Sequence, residues 1–227
     1  IEAEFIHEFI KNRSKGFAYT PIIASGKNAN ILHYIENDQQ CKAGDLLLLD
    51  VAAEYANYSS DMTRTIPVSG RFTPRQKEVY QSVLRIKNEA TRMLKPGLLF
   101  KDYNATIGEL MTGELIQLGL LDKHDLQNQT PEKPAYKKYY MHSTSHFLGL
   151  DTHDYGDNTQ PMQAQMVLTV EPGIYIPEGS PVDPKWWKIG IRIEDNILIT
   201  KDGNENLSEF VPRTIADIEK LMKRKLP

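Results

Sequence analysis

Two long helices in the middle of the chain constrain its fold more than any other feature of the sequence. The segment FTPRQKEVYQSVLRIKNEATRMLKPG, residues 72–97, predicts the first helix, with Thr73 and Gln76 as a capping box at its start. A second helix is predicted from about Asp102 to Leu121. Because strand-like segments come before and after this pair, helices and strands are segregated along the chain. This order predicts an α+β fold.

Apolar patterning and turn residues predict the remaining elements. A helix is expected over residues 1–13, a surface loop over residues 122–138, and a short final helix over residues 214–225. Two short strands around a Gly/Asn turn are expected within residues 17–34, the second of them carrying His33. Longer strand segments are predicted within residues 43–55, 58–68, 165–177 and 189–200, the first two joined as a hairpin by a turn at Ala56-Asn57.

Composition excludes several classes of protein. A net charge of −3 and a pI near 6.1, with no Lys/Arg block before the KRK of residues 223–225, argue against a nucleic-acid surface. No apolar run reaches the roughly 18 residues that a membrane span needs. The single cysteine, Cys41, cannot form an internal disulfide, which predicts a reducing compartment, the cytoplasm.

Three of the six histidines lie within twelve residues, in the segment MHSTSHFLGLDTHD. His142 and His146 have the i, i+4 spacing of two ligands on one helix face, but the STS between them lacks the glutamate of the H-E-x-x-H zinc motif and disfavours a helix. Imidazoles serve in metal binding, in proton transfer and in hydrogen bonding to developing negative charge. The segment, which also contains His153, therefore predicts a functional site whose other groups lie elsewhere in the chain.

Four carboxylates interrupt apolar β segments. Asp50 follows four leucines in LLLLDV, and Asp61 lies eleven residues further on, in the predicted partner strand, so both can point to one face. Glu171 interrupts the segment LTVEPG, and Glu194 shares a strand face with Arg192 in IGIRIED. Burying a carboxylate requires a paired cation or a metal ion. Together with the histidine cluster, the four carboxylates predict an oxygen-rich metal site.

The charge of this donor set predicts both the number and the kind of ions. Four carboxylates and one imidazole carry more negative charge than a single divalent ion neutralises, so two ions are expected. Oxygen-dominated ligation favours Mn²⁺ over a thiolate-type structural zinc site, with Co²⁺ and Zn²⁺ as alternatives.

Five segments carry a family resemblance. They are HYIEN, DVAAEYANYSSDMTRTIPVSGRFT, HSTSHFLGLDTHDYG, LTVEPGIYI and IGIRIEDNILIT, in this order, and the match as a whole runs from about residue 2 to residue 222. The set resembles the metallopeptidases of the pita-bread fold, and most closely the Xaa-Pro aminopeptidases. The resemblance implies that residues 1–227 form a catalytic pita-bread domain, a curved antiparallel sheet covered by helices.

The resemblance also implies roles for particular residues. The implied ligands of two metal ions are Asp50, Asp61, His146, Glu171 and Glu194, with Asp61 and Glu194 bridging. The residues implied to surround the substrate are His33, His142, His153 and Arg192, the last of them placed beside Glu194.

The reaction expected from this site is hydrolysis of an N-terminal peptide bond that precedes proline, by water activated between two metal ions. Glu171 would accept the proton of the water and pass it to the leaving proline nitrogen. His33 or His153 would stabilise the tetrahedral oxyanion, and no covalent intermediate would form.

Three other functions share parts of this pattern. A prolidase would use the same metal ligands on Xaa-Pro dipeptides, but the approach PEGSPVDPKWWKIGIRIED resembles the Xaa-Pro aminopeptidases more closely. A methionine aminopeptidase shares the five ligands but matches the histidine segment less well. A non-catalytic pita-bread binding module would be expected to have lost ligands, whereas all five are present.

The chain also departs from the family it resembles. Family members carry an N-terminal domain and a further helix before the point that corresponds to Ile1, and both are absent from this sequence. Since that domain helps to close the site and to build oligomers, a homo-oligomer is expected for the full-length protein. Peptides with an Xaa-Pro N-terminus are the expected substrates.

Overall fold

A computed structural model describes residues 1–223 of the chain. The helices are α1 (Glu2–Lys11), α2 (Pro74–Met93), α3 (Phe100–Gln117), α4 (Lys123–Gln127) and α5 (Ile215–Leu221). The strands are β1 (Gly16–Phe17), β2 (Ile22–Ser25), β3 (Leu46–Asp50), β4 (Ala53–Tyr55), β5 (Tyr58–Ser59), β6 (Thr63–Pro67), β7 (Val167–Val170), β8 (Gly173–Ile176), β9 (Ile189–Arg192), β10 (Asp195–Ile199) and β11 (Asn204–Asn206). Strands precede and follow the helix pair α2 and α3, which confirms the α+β order.

The strands form four small sheets, and within the described residues every strand pairing is antiparallel. Their orders are β1-β4-β5, β2-β3-β6, β11-β10-β7 and β8-β9. No helix in residues 1–223 has the combined length and apolar character that crossing a bilayer requires.

Helix α2 begins as its sequence predicts. The Thr73 hydroxyl accepts a hydrogen bond from the Gln76 N–H at 3.3 Å, and the Gln76 side chain accepts one from the Thr73 N–H at 2.9 Å. Pro74 occupies the first turn, where a missing N–H costs no helical hydrogen bond. The capping box is therefore confirmed.

Helix α3 begins two residues before the predicted Asp102 and ends before the predicted Leu121. It ends where Gly119 takes a φ of 71° and donates its N–H to the Ile116 carbonyl at 2.9 Å. A left-handed residue at this position ends a helix, and glycine adopts it without steric cost. The boundary error comes from treating this glycine as part of the helix.

The predicted surface loop over residues 122–138 does lie on the surface, but part of it is helical and not loop. The segment contains α4 and a short 3-10 helix, Ala135–Lys138. Asp122 accepts from the Asp125 N–H at 2.9 Å, and Asp125 accepts from the Asp122 N–H at 3.1 Å. This capping box uses aspartate where glutamate or glutamine is usual, so the standard pattern does not detect it.

The predicted strand around His33 is also wrong. Strand β2 is followed by a 3-10 helix, Gly26–Asn30, and His33 lies in the turn after it. Gly26 has a φ of 58°, which turns the chain out of the extended conformation.

The hairpin that brings Asp50 and Asp61 together is confirmed. Strand β3 pairs with β6, with Asp50 opposite Thr63, so Asp61 lies just beyond the paired residues. Between them β4 and β5 form a smaller hairpin, whose turn residues Ala56 and Asn57 have φ values of 53° and 67°. Two positive φ angles are characteristic of a tight type I′ hairpin turn.

Each C-terminal strand segment breaks at its carboxylate instead of running through it. Glu171 separates β7 from β8, and Glu194 separates β9 from β10, while β7 pairs with β10 and β8 with β9. The Glu171 N–H donates to the Thr144 carbonyl at 2.9 Å, and the Glu194 N–H donates to the Thr63 carbonyl at 3.0 Å. The two carboxylates therefore lie where the chain changes its pairing partner, and both backbones are held by neighbouring segments.

The main apolar core lies between the helix pair and the C-terminal strands. Its fully buried residues on α2 and α3 include Val79, Tyr80, Val83, Tyr103, Ile107 and Met111, and those on the strands include Leu168, Val170, Ile174, Ile191 and Ile197. Helix α1 has no buried residue. Helix α5 ends at Leu221, four residues before the predicted end, and residues 224–225 of that prediction lie outside the described residues.

A buried ion cluster joins β6 to β10 and α2. Asp195 accepts from Arg64 Nη2 at 2.6 Å and forms an ion pair with Lys87, and all three residues are at most 8% exposed. Burial raises the pKa of the Asp195 carboxyl, but Arg64 and Lys87 outweigh this and lower it. Arg64 Nη1 also donates to the Glu194 carbonyl at 2.5 Å. The cluster therefore fixes the backbone immediately next to a predicted metal ligand.

Candidate metal centre

All of the predicted site residues line a single cavity of about 680 Å³. They are Asp50, Asp61, His146, Glu171, Glu194, His33, His142, His153 and Arg192. Residues that are up to 161 positions apart in sequence thus meet at the strand breaks described above, counting from His33 to Glu194.

Three of these residues form the centre of the cluster. One ligand atom each from Asp61, His146 and Glu194 lies within 4.8 Å of the other two. His146 Nε2 is 3.3 Å from Asp61 Oδ2 and 3.6 Å from Glu171 Oε1. Such spacing allows several side chains to contact the same cation.

The His146 ring is held in the orientation typical of a metal ligand. Its Nδ1 donates to the Phe147 carbonyl at 2.8 Å, which directs Nε2 towards the carboxylates of Asp61 and Glu171. Burial opposes the charged ring, but the hydrogen bond to Asp61, the Phe147 carbonyl and the charge of Glu171 outweigh it and raise the pKa of His146.

Glu194 is the most deeply buried carboxylate of the set, with 1% of its surface exposed. Its Oε2 accepts a hydrogen bond from the Thr63 hydroxyl at 2.7 Å. Burial, followed by the charges of Asp61, Glu171 and Asp50, raises its pKa well above the usual range. Like charges at short range in a buried site favour binding of a cation.

Glu171 experiences a similar environment at the edge of the cluster. Burial, aided by the charges of Asp61 and Asp50, raises the pKa of its carboxyl to about 8, against the lowering effects of Arg192 and His146. Its Oε2 is 3.6 Å from His142 Nδ1. A carboxyl group whose pKa lies near neutrality can both accept and donate a proton.

Asp50 and Arg192 form a buried ion pair that also lines the cavity. Arg192 Nη2 donates to Asp50 Oδ2 at 2.6 Å, and the Tyr19 hydroxyl donates to Asp50 Oδ1 at 2.5 Å. The sequence placed Arg192 beside Glu194, but the two are connected only indirectly, through the Thr63 hydroxyl, which accepts from Arg192 Nε at 3.1 Å. Strand alternation predicted the shared face and not the hydrogen-bond partner.

The three other histidines lie on the wall of the cavity. His142 Nδ1 faces the Ser143 carbonyl at 2.8 Å and therefore donates, so its Nε2 accepts from the Tyr175 hydroxyl at 2.8 Å. Burial, followed by the Arg192 charge, lowers the pKa of His142 to about 3, which keeps the ring neutral. The exposed ring of His153 packs edge-on against that of His146, with 4.4 Å between the ring centroids. His33 is also exposed.

Sequence reasoning missed Tyr19, Tyr175 and Thr63. The Tyr175 hydroxyl accepts from Arg192 Nη1 at 2.9 Å and contacts His142, so it connects two predicted site residues. The strand alternation that marked Glu171 applies also to Tyr175, four residues further on, but an aromatic residue in GIYI reads equally well as core. Tyr19 carries no such signal, because its partner Asp50 is 31 positions away.

The donor set is oxygen-rich, is accompanied by further histidines and lies in an α+β domain. Fold and site together are those of the metal-dependent hydrolases. The sequence of the chain identifies the particular family. The sequence model of metallopeptidase family M24 matches residues 1–201, and the chain belongs to this family.

Individual relatives are similar over nearly the whole chain. It is 44% identical over 226 residues to the Xaa-Pro aminopeptidase of Haemophilus influenzae and 41% identical over 226 residues to that of Escherichia coli, in both cases across 98% of this chain. It covers 52% and 51% of those proteins, so the chain spans about half the length of the curated relatives that it matches.

A solved structure gives the same result. The zinc-substituted E. coli aminopeptidase P in complex with product matches 99% of this chain and 52% of its own chain, with a TM-score of 0.93 and 40% sequence identity. This match confirms the α+β pita-bread fold.

Proposed function

We propose that residues 1–227 are the catalytic domain of a dinuclear metal-dependent aminopeptidase that releases the first residue from peptides with proline in second position. The observation that carries this proposal is the meeting of four carboxylates and His146 in one cavity whose wall is formed by further histidines and Arg192. The Xaa-Pro aminopeptidases to which the chain is similar support the substrate class.

The residues of the cavity suit a pair of divalent cations. Glu194 and Asp61 are buried at 1% and 5% exposure, and the one carboxylate of the described residues that accepts a hydrogen bond from Arg192 is Asp50. The holders would be Asp50, Asp61, His146, Glu171 and Glu194, with Asp61 and Glu194 bridging. Two divalent ions bound there would lower the pKa of a bound water molecule and polarise the scissile carbonyl. We propose Mn²⁺, because the donors are mainly oxygen, with Co²⁺ and Zn²⁺ as alternatives.

Glu171 is assigned the proton transfers. Its carboxylate lines the cavity, where it would take a proton from the attacking water and return it to the leaving proline nitrogen. The cavity places this carboxylate between His146 and His142, within 3.6 Å of both rings.

The wall residues are assigned to substrate binding. His33 and His153, which are exposed and line the cavity, would donate hydrogen bonds to the oxyanion of the tetrahedral intermediate. His142 and Arg192 also line the cavity and are connected through the Tyr175 hydroxyl. Ile22, Leu32 and Ile35 add an apolar surface to the same cavity.

Substrate ranking tests the proposed function. With added Mn²⁺, the order of turnover expected is Ala-Pro-Ala first, Ala-Pro much slower and Ala-Ala-Ala barely cleaved. Proline has a fixed φ and no N–H, so a pocket shaped for it leaves no donor unpaired, whereas alanine brings an N–H that the pocket would not satisfy. Steady-state rates for the three peptides, measured with the metal content of the same sample, provide the test.

Each other outcome of this experiment points to a different function. Fastest cleavage of Ala-Pro would identify a prolidase, and equal cleavage of the two tripeptides would contradict proline specificity. A chain that binds no metal ion and cleaves none of the peptides would support a binding module.

His153→Ala is expected to reduce turnover of Ala-Pro-Ala about 10²- to 10³-fold, the usual effect of removing one oxyanion donor, while two ions stay bound. His153 contacts the ring of His146 and is assigned to substrate instead of metal. His124→Ala, which removes an exposed histidine of α4, is the matched control and is expected to change neither property. Loss of metal in proportion to activity would make His153 a ligand.

Location and assembly belong to the same proposal. We propose the cytoplasm, because the chain carries one cysteine. A homo-oligomer of the full-length protein and the absence of a nucleic-acid partner are proposed from the family resemblance and from the net charge of −3.

A further inference from the structure

We propose that Asn196 is a positioning residue for the metal centre, whose side-chain amide holds the Asp61 peptide group so that Asp61 and Glu194 form one rigid unit. The role rests on the proposed function, since it concerns the two carboxylates that are expected to bridge the metal ions.

The side-chain amide of Asn196 contacts both backbone polar groups of Asp61, its N–H and its carbonyl. The Asp61 N–H donates to Asn196 Oδ1 at 3.1 Å, and Asn196 Nδ2 donates to the Asp61 carbonyl. In an antiparallel pair, two residues exchange the same two kinds of bond through their backbones. Here a side chain takes the place of one backbone. Asp61 and Asn196 are 5% and 6% exposed, so water competes little for these bonds.

Asn196 is itself held firmly. Its N–H donates to the Ser208 hydroxyl at 3.1 Å, and its carbonyl accepts from the Leu207 N–H at 2.9 Å. It lies on β10, two residues after Glu194. Movement of the Asp61 backbone would therefore require movement of a strand that is paired on both sides, with β7 and with β11.

The contact between Asp61 and Asn196 continues an antiparallel alignment of residues 61–65 with residues 192–196. One step earlier in this alignment, the Thr63 carbonyl accepts from the Glu194 N–H at 3.0 Å, and the Thr63 hydroxyl donates to Glu194 Oε2 at 2.7 Å.

In the other direction, the Thr65 hydroxyl donates to the Arg192 carbonyl at 3.0 Å and accepts from the Arg192 N–H at 3.2 Å. The alignment therefore has three residue pairs, Asp61 with Asn196, Thr63 with Glu194, and Thr65 with Arg192. In the two outer pairs a side chain, that of Asn196 or Thr65, makes the hydrogen bonds that a backbone makes in an ordinary antiparallel pair. Each pair contains one predicted site residue.

Only a planar amide supplies both a donor and an acceptor in this geometry. Asn196→Asp keeps the acceptor for the Asp61 N–H, loses the donor and adds a carboxylate. Asn196→Leu keeps a similar volume and loses both bonds. These two substitutions separate the contribution of the amide from that of its volume.

Asn204→Leu is the matched control. Asn204 Nδ2 also donates to two backbone carbonyls, those of Thr91 and Leu94, each at 2.8 Å. These bonds lie at the end of α2, and Asn204 does not line the cavity. The control therefore removes a comparable amide from a place where it holds no predicted ligand.

The test is Mn²⁺ binding by the 227-residue chain, with stoichiometry and Kd from titration calorimetry and stability from urea unfolding. The unchanged chain is expected to bind two ions. Asn196→Leu is expected to weaken the affinity about 10- to 100-fold, as loss of a group that orients a ligand usually does, and Asn196→Asp less. Asn204→Leu is expected to lose stability and to keep the affinity of the unchanged chain.

Two results would overturn the role of Asn196. One is a folded Asn196→Leu chain, or a folded Asn196→Asp chain where the leucine variant does not fold, that binds two ions with unchanged affinity. The other is an equal loss of affinity in Asn204→Leu, which would reduce the effect to general stability. If the unchanged chain binds no Mn²⁺, the proposed function itself fails, and the role of Asn196 fails with it.

Discussion

Asp61→Ala is expected to remove both metal ions and to reduce peptide hydrolysis below detection. Asp61 Oδ2 is 3.3 Å from His146 Nε2, and its carboxylate shares the 4.8 Å cluster with His146 and Glu194. A carboxylate that contacts each of two ions anchors both, so its loss is not confined to one site. The charge of Asp61 is also the largest contribution, after burial, to the raised pKa of Glu194. Without that charge Glu194 takes up a proton less readily, but too few donors remain for two ions.

Metal content per chain, measured by mass spectrometry after dialysis against Mn²⁺, checks this prediction. Asp61→Asn keeps the volume and one neutral oxygen, and is expected to bind less metal than the unchanged chain. Asp151→Ala, at an exposed position in the histidine segment, is the control and is expected to retain two ions. Two ions per chain in Asp61→Ala would show that this carboxylate does not bridge.

Much of the candidate site could be predicted from the sequence because three of its carboxylates, Asp50, Glu171 and Glu194, interrupt apolar patterns. Asp50 follows four leucines, and Glu194 follows an alternating isoleucine segment. In an apolar strand a carboxylate is costly unless something compensates for it, so its position alone carries information. The cavity that contains these residues agrees with that reasoning. The capping box of α2 was predictable for a similar reason, since its signal is local.

The remaining contacts depend on tertiary structure and leave no local signal. Asn196 reads as one polar residue in a strand, yet its partner Asp61 is 135 positions away. Arg192 was placed beside Glu194 by strand alternation, whereas its carboxylate partner, Asp50, comes from a different sheet. The breaks at Glu171 and Glu194 likewise follow from a change of pairing partner, which apolar patterning within one segment does not encode.

Glu171→Gln is expected to lower turnover of Ala-Pro-Ala about 10²- to 10⁴-fold, the usual range for loss of a positioned acid–base group. The amide keeps the volume and an oxygen, but it cannot take a proton from the attacking water. The Glu171 carboxylate lies within 3.6 Å of the His146 and His142 rings, where it can exchange a proton that a glutamine cannot. The loss is expected to exceed that of His153→Ala, since a proton acceptor serves both attack and departure.

The proton-transfer role of Glu171 is separable from its role as a ligand, because turnover and metal content are measured on the same samples. At saturating Mn²⁺, Glu171→Gln is expected to retain most of its metal, since Asp61, His146 and Glu194 still form the centre of the cluster. Glu178→Gln, which removes an exposed carboxylate paired with Lys188, is the matched control and is expected to keep full turnover. Turnover within tenfold of the unchanged chain would exclude Glu171 as the proton acceptor. A loss of turnover that only follows a loss of metal would leave Glu171 as a ligand, and the proton would then have to pass through another group on the cavity wall.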